Sequence, residues 1–430
     1  MQKGLAILIS GFLVITAAYA QIAVKNQGYV PFSEPPINYR SDDLSDPVAK
    51  LQKKLDAGKT QLVWEPKHGY LQSVLEQLSI PVESQTLVFS KTSFQYKKIS
   101  PETPRALYFN DDVYVGQVRD GKVIEFVSFD PAQGAIFYIL DEHKSDHPLF
   151  ARAELDCTQC HVAAGTRNVP GVLLRSIFTM PSGTQAVKSA AYMTDQQSPL
   201  SQRWGGWYVT GSHGNQAHMG NAVVADKEHP QQLRDLSDPF DAGLYLSPKS
   251  DIVAHLVLAH QTQMHNLITQ TNYETRIALF KNAPAKQYEA RAEELLRYLL
   301  FANEAPLGGQ ITGDSGYTEE FAARGPRDPQ GRSLRDFDLH TRIFKYPCSY
   351  LIYSEAFDNL PEPAKGYVYH RLLQVLTGQD QSSEFAHLHP ADRRSILEIL
   401  LATKRDLPAE WNTYRLQTST RASNRQVHHQ

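Results

Sequence analysis

The pattern of apolar and polar residues divides the chain into two parts. In the first part, short runs of β-branched and aromatic residues alternate with turn residues, which is typical of antiparallel strands. The runs cover residues 86–89, 106–109, 113–115, 123–127 and 135–139. Turn-forming residues at 110–112, 119–122 and 130–131 separate the later runs. The pattern therefore predicts an antiparallel β-rich region.

Further along the chain, apolar residues recur at helical spacing. The segments with this spacing are residues 251–270, 287–301, 364–377 and 391–404. His260 falls on the apolar stripe of the first segment, a position more typical of a hydrogen-bonded core residue than of a metal ligand. The whole pattern predicts an α+β fold in which an N-terminal antiparallel β-rich region is followed by a mostly helical region.

The N-terminus has the features of an export signal. Lys3 gives it a positive charge, residues 5–18 are apolar, and Ala18-Tyr19-Ala20 is a small-residue cleavage site. We therefore predict a signal peptide at 1–20, cleaved after Ala20, and a mature periplasmic chain without a transmembrane anchor. An uncleaved anchor is the alternative, although the apolar run is short for a spanning helix. The predicted regions are a β-rich part at 21–148, a mostly helical part at 149–417 and a disordered tail at 418–430.

Composition narrows the class of protein. The chain has 43 Lys and Arg against 46 Asp and Glu, a net charge of −3, so it lacks the basic excess of a nucleic-acid-binding protein. Hydrophobic residues make up 41% of the chain, which is sufficient for a sizeable core. There are 3 cysteines in 430 residues, too few for a disulfide scaffold.

The most specific motif is Cys157-Thr158-Gln159-Cys160-His161. C-x-x-C-H is the signature of covalent c-type haem attachment, in which two sulfurs reach the two vinyl groups of one porphyrin and the histidine binds the iron. A redox dithiol, half of a zinc site and a structural disulfide are alternatives. No clear βαβ pattern surrounds the pair, and the remaining cysteine, Cys348, is far away and unpaired.

On this motif the chain resembles c-type cytochromes. Residues 332–339 (Arg-Ser-Leu-Arg-Asp-Phe-Asp-Leu) and 346–354 (Tyr-Pro-Cys-Ser-Tyr-Leu-Ile-Tyr-Ser) are also similar to segments of large exported bacterial proteins with a cytochrome c domain. The resemblance implies one covalently attached haem c, with Cys157 and Cys160 as the attachment residues and His161 as the proximal ligand. It departs from compact class I cytochromes, because Met180-Pro181 follows the motif early.

A glycine-rich stretch at residues 201–221 supplies candidate ligands for the other side of the iron. It contains His213, His218 and Met219, and its glycines let the backbone approach a flat, bulky group. We favour His213, which has glycines nearby on both sides. Met180 is the next candidate, through its likeness to the Met-Pro of class I cytochromes.

Three further residues have candidate roles. Arg167 and Arg175 are close enough to the motif in sequence to bind haem propionates, although solvated surface arginines would look the same. Cys348 lies among aromatic and aliphatic residues, so we predict that it is a buried structural thiol.

The sequence therefore predicts a periplasmic monohaem c-type cytochrome that acts in electron transfer. The favoured form is an oxidoreductase that passes electrons between a small-molecule substrate, bound under the long loop at 305–335, and a redox partner protein. One alternative is a pure electron-carrier subunit. Another is a haem-based sensor or ligand-binding module without turnover.

Overall fold

The central element of the fold is a seven-stranded antiparallel sheet. A computed structural model describes residues 30–236 and 240–414, so the predicted signal peptide and the predicted tail at 418–430 lie outside the described residues. The strand order is β6-β5-β4-β3-β2-β1-β9. The strands are β1 (Thr86–Val88), β2 (Arg105–Phe109), β3 (Val113–Gln117), β4 (Val123–Asp130), β5 (Gly134–Asp141), β6 (Phe150–Arg152) and β9 (Trp207–Tyr208).

The hairpin of β4 and β5 shows how local sequence specifies this sheet. The Asp130 carboxylate accepts hydrogen bonds from the backbone N–H groups of Ala132 (2.8 Å) and Gln133 (2.9 Å), which closes the turn. The hairpin then runs in register, with Val127 opposite Phe137. The strands predicted between residues 86 and 139 are confirmed.

The sheet does not end where the sequence pattern changes. Strand β9 pairs with β1, although it follows β6 by more than fifty residues in the chain. The predicted regions 21–148 and 149–417 therefore share one sheet. Two small hairpins lie between β6 and the long helix, and their strands are β7 (Arg175–Ile177) with β8 (Ala191–Met193) and β10 (Ala222–Val224) with β11 (Leu233–Asp235).

Most of the α-helices in the described residues lie in the C-terminal half, which confirms the α+β fold class. The helices are α1 (Pro47–Asp56), α2 (Leu71–Gln77), α3 (Glu154–His161), α4 (Ile252–Phe280), α5 (Lys286–Leu299), α6 (Tyr317–Ala323), α7 (Glu355–Asp358), α8 (Glu362–Leu376) and α9 (Pro390–Thr403). Within the described part of the chain, none of them combines the length and the apolar character needed to cross a membrane.

The long helix α4 forms the centre of the helical part. Its first turn is capped by Asp251, whose carboxylate accepts hydrogen bonds from the backbone N–H groups of Val253 (2.7 Å) and Ala254 (3.2 Å). It packs against α5, α8 and strand β5. As a result, its polar residues are buried as well as its apolar ones, including His255, His260 and His265.

Hydrogen bonds satisfy the buried histidine predicted to lie on the apolar stripe. The Nδ1 atom of His260 is 2.6 Å from Gln196 Oε1, and its Nε2 atom is 2.7 Å from Ser349 Oγ. Both ring nitrogens are therefore engaged, so His260 is a core residue and has no free nitrogen for a metal.

These histidines should make the fold sensitive to acid. Burial lowers the pKa of His255 and His260 to about 3 and that of His265 to about 4. The folded state therefore favours the neutral rings. Their full contribution to the free energy of unfolding is present above the unfolded-state pKa of about 6.5, and it is lost as the pH falls toward the folded-state pKa values. Between pH 7 and pH 5, each ring should lower the free energy of unfolding by about 2 kcal/mol.

The contribution of one histidine can be isolated by urea unfolding at pH 7 and pH 5. His260→Gln should reduce the pH-dependent loss of unfolding free energy by about 2 kcal/mol, because one titrating ring is removed. His340→Gln, at an exposed histidine, is the matched control against which the change in the His260 variant is measured. An identical pH dependence in the His260 variant and the control would contradict the assignment.

Candidate cofactor-attachment site

The C-x-x-C-H motif forms the end of helix α3, directly after strand β6. The helix carries Cys157 half-buried and Cys160 exposed, and the two thiols are not joined in a disulfide. No side chain of α3 is fully buried. The helix therefore lies at the surface, with the two sulfurs one helical turn apart.

The imidazole of His161 is held in one orientation. Its Nδ1 atom is 2.8 Å from the carbonyl oxygen of Gly171, and the backbone N–H of Gly171 donates to the carbonyl of His161 at 3.0 Å. A carbonyl oxygen can only accept, so Nδ1 carries the proton and Nε2 presents a lone pair. No hydrogen bond from the described residues reaches Nε2.

Packing and burial keep this ring neutral. The ring packs against Phe137 at a centroid distance of 5.1 Å. Burial lowers the pKa of His161 below its ordinary value, although the hydrogen bond to Gly171 opposes the effect. A neutral imidazole whose second nitrogen is hydrogen-bonded to a carbonyl is the usual form of a histidine that binds a metal.

The loop after the motif is fixed to helix α4 through one side chain. Asn266 accepts a hydrogen bond from the backbone N–H of Val172 (3.0 Å) and donates one to the carbonyl of Val172 (2.7 Å). A Cβ atom at Gly171 would lie 2.1 Å from Asn266 Oδ1, so a side chain cannot be accommodated there. Gly171 therefore lets the loop approach α4 closely enough for its carbonyl to reach His161.

The charges around the motif favour thiols over thiolates. Burial raises the pKa of Cys157 to about 12, and the negative charges of Glu125 and Asp156 add to this effect. A thiolate metal site needs the opposite environment. In addition, no group of three or more His, Cys, Asp or Glu side chains in the described residues could hold a metal ion. The structure therefore gives no support to the zinc alternative.

The two arginines predicted to bind propionates lie in different settings. Arg167 forms an ion pair with Glu294 and lines a polar cleft of about 410 Å³. Arg175 is exposed and donates to Gln185 Oε1 at 3.1 Å. Both have protein partners, and their binding to propionates stays a prediction.

A different arginine lies beside the motif. Arg105 forms an ion pair with Glu125, and the charges of both residues act on the pKa of Cys157 and His161. Its buried Nε atom has no acceptor among the described residues. Because strand β2 precedes the motif by about fifty residues, sequence proximity could not indicate this neighbour.

The structure brings His213 and His218 together, with ring centroids 4.4 Å apart. The Nδ1 of His213 is 2.7 Å from the carbonyl of Gln216, while the Nδ1 of His218 accepts from the N–H of Gly220 at 3.0 Å. Trp204 packs against His218, and also against His255 in the first turns of α4.

The position of this histidine pair along α4 separates it from the motif. Residue 255 lies eleven residues before Asn266, which holds the motif loop. Eleven residues span about 16 Å along a helix. The contacts thus place His213 and His218 near one part of α4 and His161 near another, and their role as axial ligands stays a prediction.

The predicted methionines also have partners of their own. Met219 is buried in a small cluster with Phe178 and Val224, and Met180 packs at its edge. The hydroxyl of Ser176 lies 3.7 Å from Met219 Sδ. Met219 is therefore part of a local core, and the contacts of neither methionine include the motif.

Another methionine, which the sequence pattern did not indicate, lies beside the loop that follows the C-x-x-C-H motif. Met193 is 45% exposed on strand β8, and a Cβ atom at Gly165 would lie 3.2 Å from its Sδ. Gly165 follows His161 by four residues. The pairing of β8 with β7 brings Met193 there. Strands of three residues are too short for the alternation that predicts a strand.

Comparisons with known proteins identify no relative. No protein-family model, no curated protein and no solved structure matches the chain. The function must therefore be inferred from the residues of the site.

The close approach at Gly171 can be tested directly. Gly171→Ala should lower the free energy of unfolding by about 1–3 kcal/mol, because the added methyl group collides with the Asn266 amide. Urea unfolding measures the change. Gly366→Ala is the matched control: this glycine lies in α8 with open space around it, so the substitution should stabilise by about 0.4–1 kcal/mol. Equal effects of the two substitutions would contradict the account of the loop.

Proposed function

We propose that the protein carries one covalent haem c, attached through Cys157 and Cys160 and bound by His161, and that it acts in electron transfer in the periplasm. The observation that carries the proposal is the state of His161. Its Nδ1 is committed to the Gly171 carbonyl, so its Nε2 is left to bind iron.

The surroundings of the motif also fit a bulky apolar cofactor. Met193, which lies beside the loop that follows His161, is 45% exposed. Exposed side chains of this size are apolar surface that a porphyrin would cover. Cys157 and Cys160 are not paired in a disulfide, so both sulfurs are available for thioether bonds.

The protein residues would position the haem and set its properties. A c-type haem gains and loses one electron at iron. His161 would bind it, and the hydrogen bond to Gly171 would increase the electron donation of the imidazole. Asn266 would hold Gly171 in place from α4. The position of the site would thus be set by the buried helix rather than by the surface loop.

The exposure of Cys160 favours electron exchange at the surface. An attachment residue that faces solvent brings one haem edge close to a docked redox partner protein. Passage of electrons from a small-molecule substrate to that partner is the proposed oxidoreductase activity. A pure electron carrier is the second candidate, since exchange between proteins needs only this exposed edge.

Covalent attachment is tested by replacing the two cysteines. Produced in a host with c-type haem assembly, the wild-type protein should gain the mass of one haem on a chain that begins at Gln21. Cys157→Ala/Cys160→Ala should lose the covalent haem, while Cys348→Ala should retain it. Cys348 is fully buried, which confirms that part of the prediction, and its burial raises its pKa far above the ordinary value. Unmodified thiols or bound zinc in the wild-type protein would refute the proposal.

The sixth ligand is tested by a set of substitutions. Because Met193 lies beside the loop that follows His161, we expect Met193→Leu to change the absorption spectrum of the oxidised and reduced protein. Leucine keeps the volume and removes the sulfur. Met180→Leu and Met219→Leu are matched controls, and His213→Ala and His218→Ala test the histidine pair. If Met193→Leu leaves the spectrum unchanged and one of the other four variants changes it, the residue replaced in that variant is the sixth ligand and the assignment to Met193 is wrong.

A further inference from the structure

A group of buried charges lies under the long loop at residues 305–335. The loop contains helix α6, and the segment after it brings Arg335 into the interior, where the residue is only 6% exposed. Its guanidinium group lies between two rings, 4.6 Å from the centroid of Phe321 and 4.3 Å from that of Tyr350. Its plane is thus held by aromatic packing.

One carboxylate forms ion pairs with both Arg335 and a second arginine. Asp111, in the turn between β2 and β3, forms ion pairs with Arg335 and with Arg324, the latter at 3.5 Å. Glu320 forms an ion pair with Arg324 at 3.1 Å. The two positive charges are therefore balanced by two negative ones.

The hydrogen-bond donors in this group are not balanced. Buried donors without an acceptor among the described residues are Arg335 Nε, Arg335 Nη1, Arg324 Nη2 and the hydroxyl of Tyr317. The buried acceptors left over in this group are fewer: Glu320 Oε2 and the Tyr317 hydroxyl, which can accept as well as donate. The ring of Tyr317 packs against Phe321 at a centroid distance of 5.7 Å, and the guanidinium groups of Arg324 and Arg335 lie over the same Phe321 ring. Burial raises the pKa of Tyr317; the charges of Arg324 and Arg335 oppose the rise, and those of Asp111 and Glu320 add to it.

A buried donor without an acceptor destabilises the folded state, so such groups have partners in folded proteins. Water is one possible partner, but it brings hydrogens that themselves need acceptors, and guanidinium groups cannot accept. An oxyanion supplies acceptors alone and matches the fork of a guanidinium group. The excess of donors therefore favours an oxyanion over water.

We propose that Arg324, Arg335 and Tyr317 form a binding site for a small oxyanion, either a carboxylate or an inorganic oxyanion. The partly exposed side chains of Asp111, Arg324 and Glu320, at 24–30% exposure, give access from solvent. Because the charges of the group are balanced, donor geometry rather than excess positive charge provides recognition. Binding should therefore be weak, with a dissociation constant in the millimolar range. The site does not depend on the proposed haem.

Titration calorimetry of the full chain tests the site with two probes, acetate and phosphate, in a buffer without other oxyanions. Saturable binding of acetate alone would identify a carboxylate site, and binding of phosphate alone an inorganic oxyanion site. Because haem is not involved, protein with and without covalent haem should give the same result. No saturable binding of either probe would mean that water alone fills the site and would overturn the proposal.

Three variants assign the binding to these residues. Tyr317→Phe removes one donor with little change in packing and should weaken binding roughly tenfold. Glu320→Gln removes a negative charge and should tighten binding. Arg371→Lys is the control, since Arg371 is paired with Glu293 and Asp380 away from this group. Unchanged binding in both Tyr317→Phe and Glu320→Gln would place the anion elsewhere and refute the assignment.

Discussion

The candidate site depends on the hydrogen bond between His161 Nδ1 and the carbonyl of Gly171. It selects the tautomer of the imidazole, fixes the plane of the ring and leaves Nε2 without a hydrogen-bond partner among the residues that the structure describes. The same two residues are joined a second time by their backbones, through the Gly171 N–H and the His161 carbonyl. The segment from His161 to Gly171 is thus a closed loop whose ends cannot move independently.

This loop is held in place because it is anchored to the most deeply buried helix of the protein. Asn266 binds both backbone polar groups of Val172, and the absence of a side chain at Gly171 allows the approach. Helix α4 therefore serves two purposes. It fills the core with apolar residues, and its buried polar side chains bind loops that the sheet alone could not position. His260, bound to Gln196 and Ser349, is another example.

The sequence predicted the parts of this structure that depend on local pattern. The strands from β1 to β5 and the helices α4, α5, α8 and α9 have clear periodicity, and Cys348 lies among apolar neighbours that indicate burial. The C-x-x-C-H motif is equally local, because its five residues are consecutive and lie in one short helix. Arg105 and Met193 could not be predicted, since strand pairing and a small hairpin bring them toward the motif. The role of Asn266 could not be predicted either, because the buried polar residues of α4 do not alter the apolar pattern of that helix.

Peptide mapping after tryptic digestion tests the central claim most directly, because it reports which residues carry the cofactor. Cleavage after Arg152 and Arg167 releases residues 153–167, which contain both cysteines and His161. In protein matured in a host with c-type haem assembly, this peptide should carry the added mass of one haem and absorb in the Soret region. The same peptide recovered with two free thiols or one disulfide, and without haem, would contradict the account.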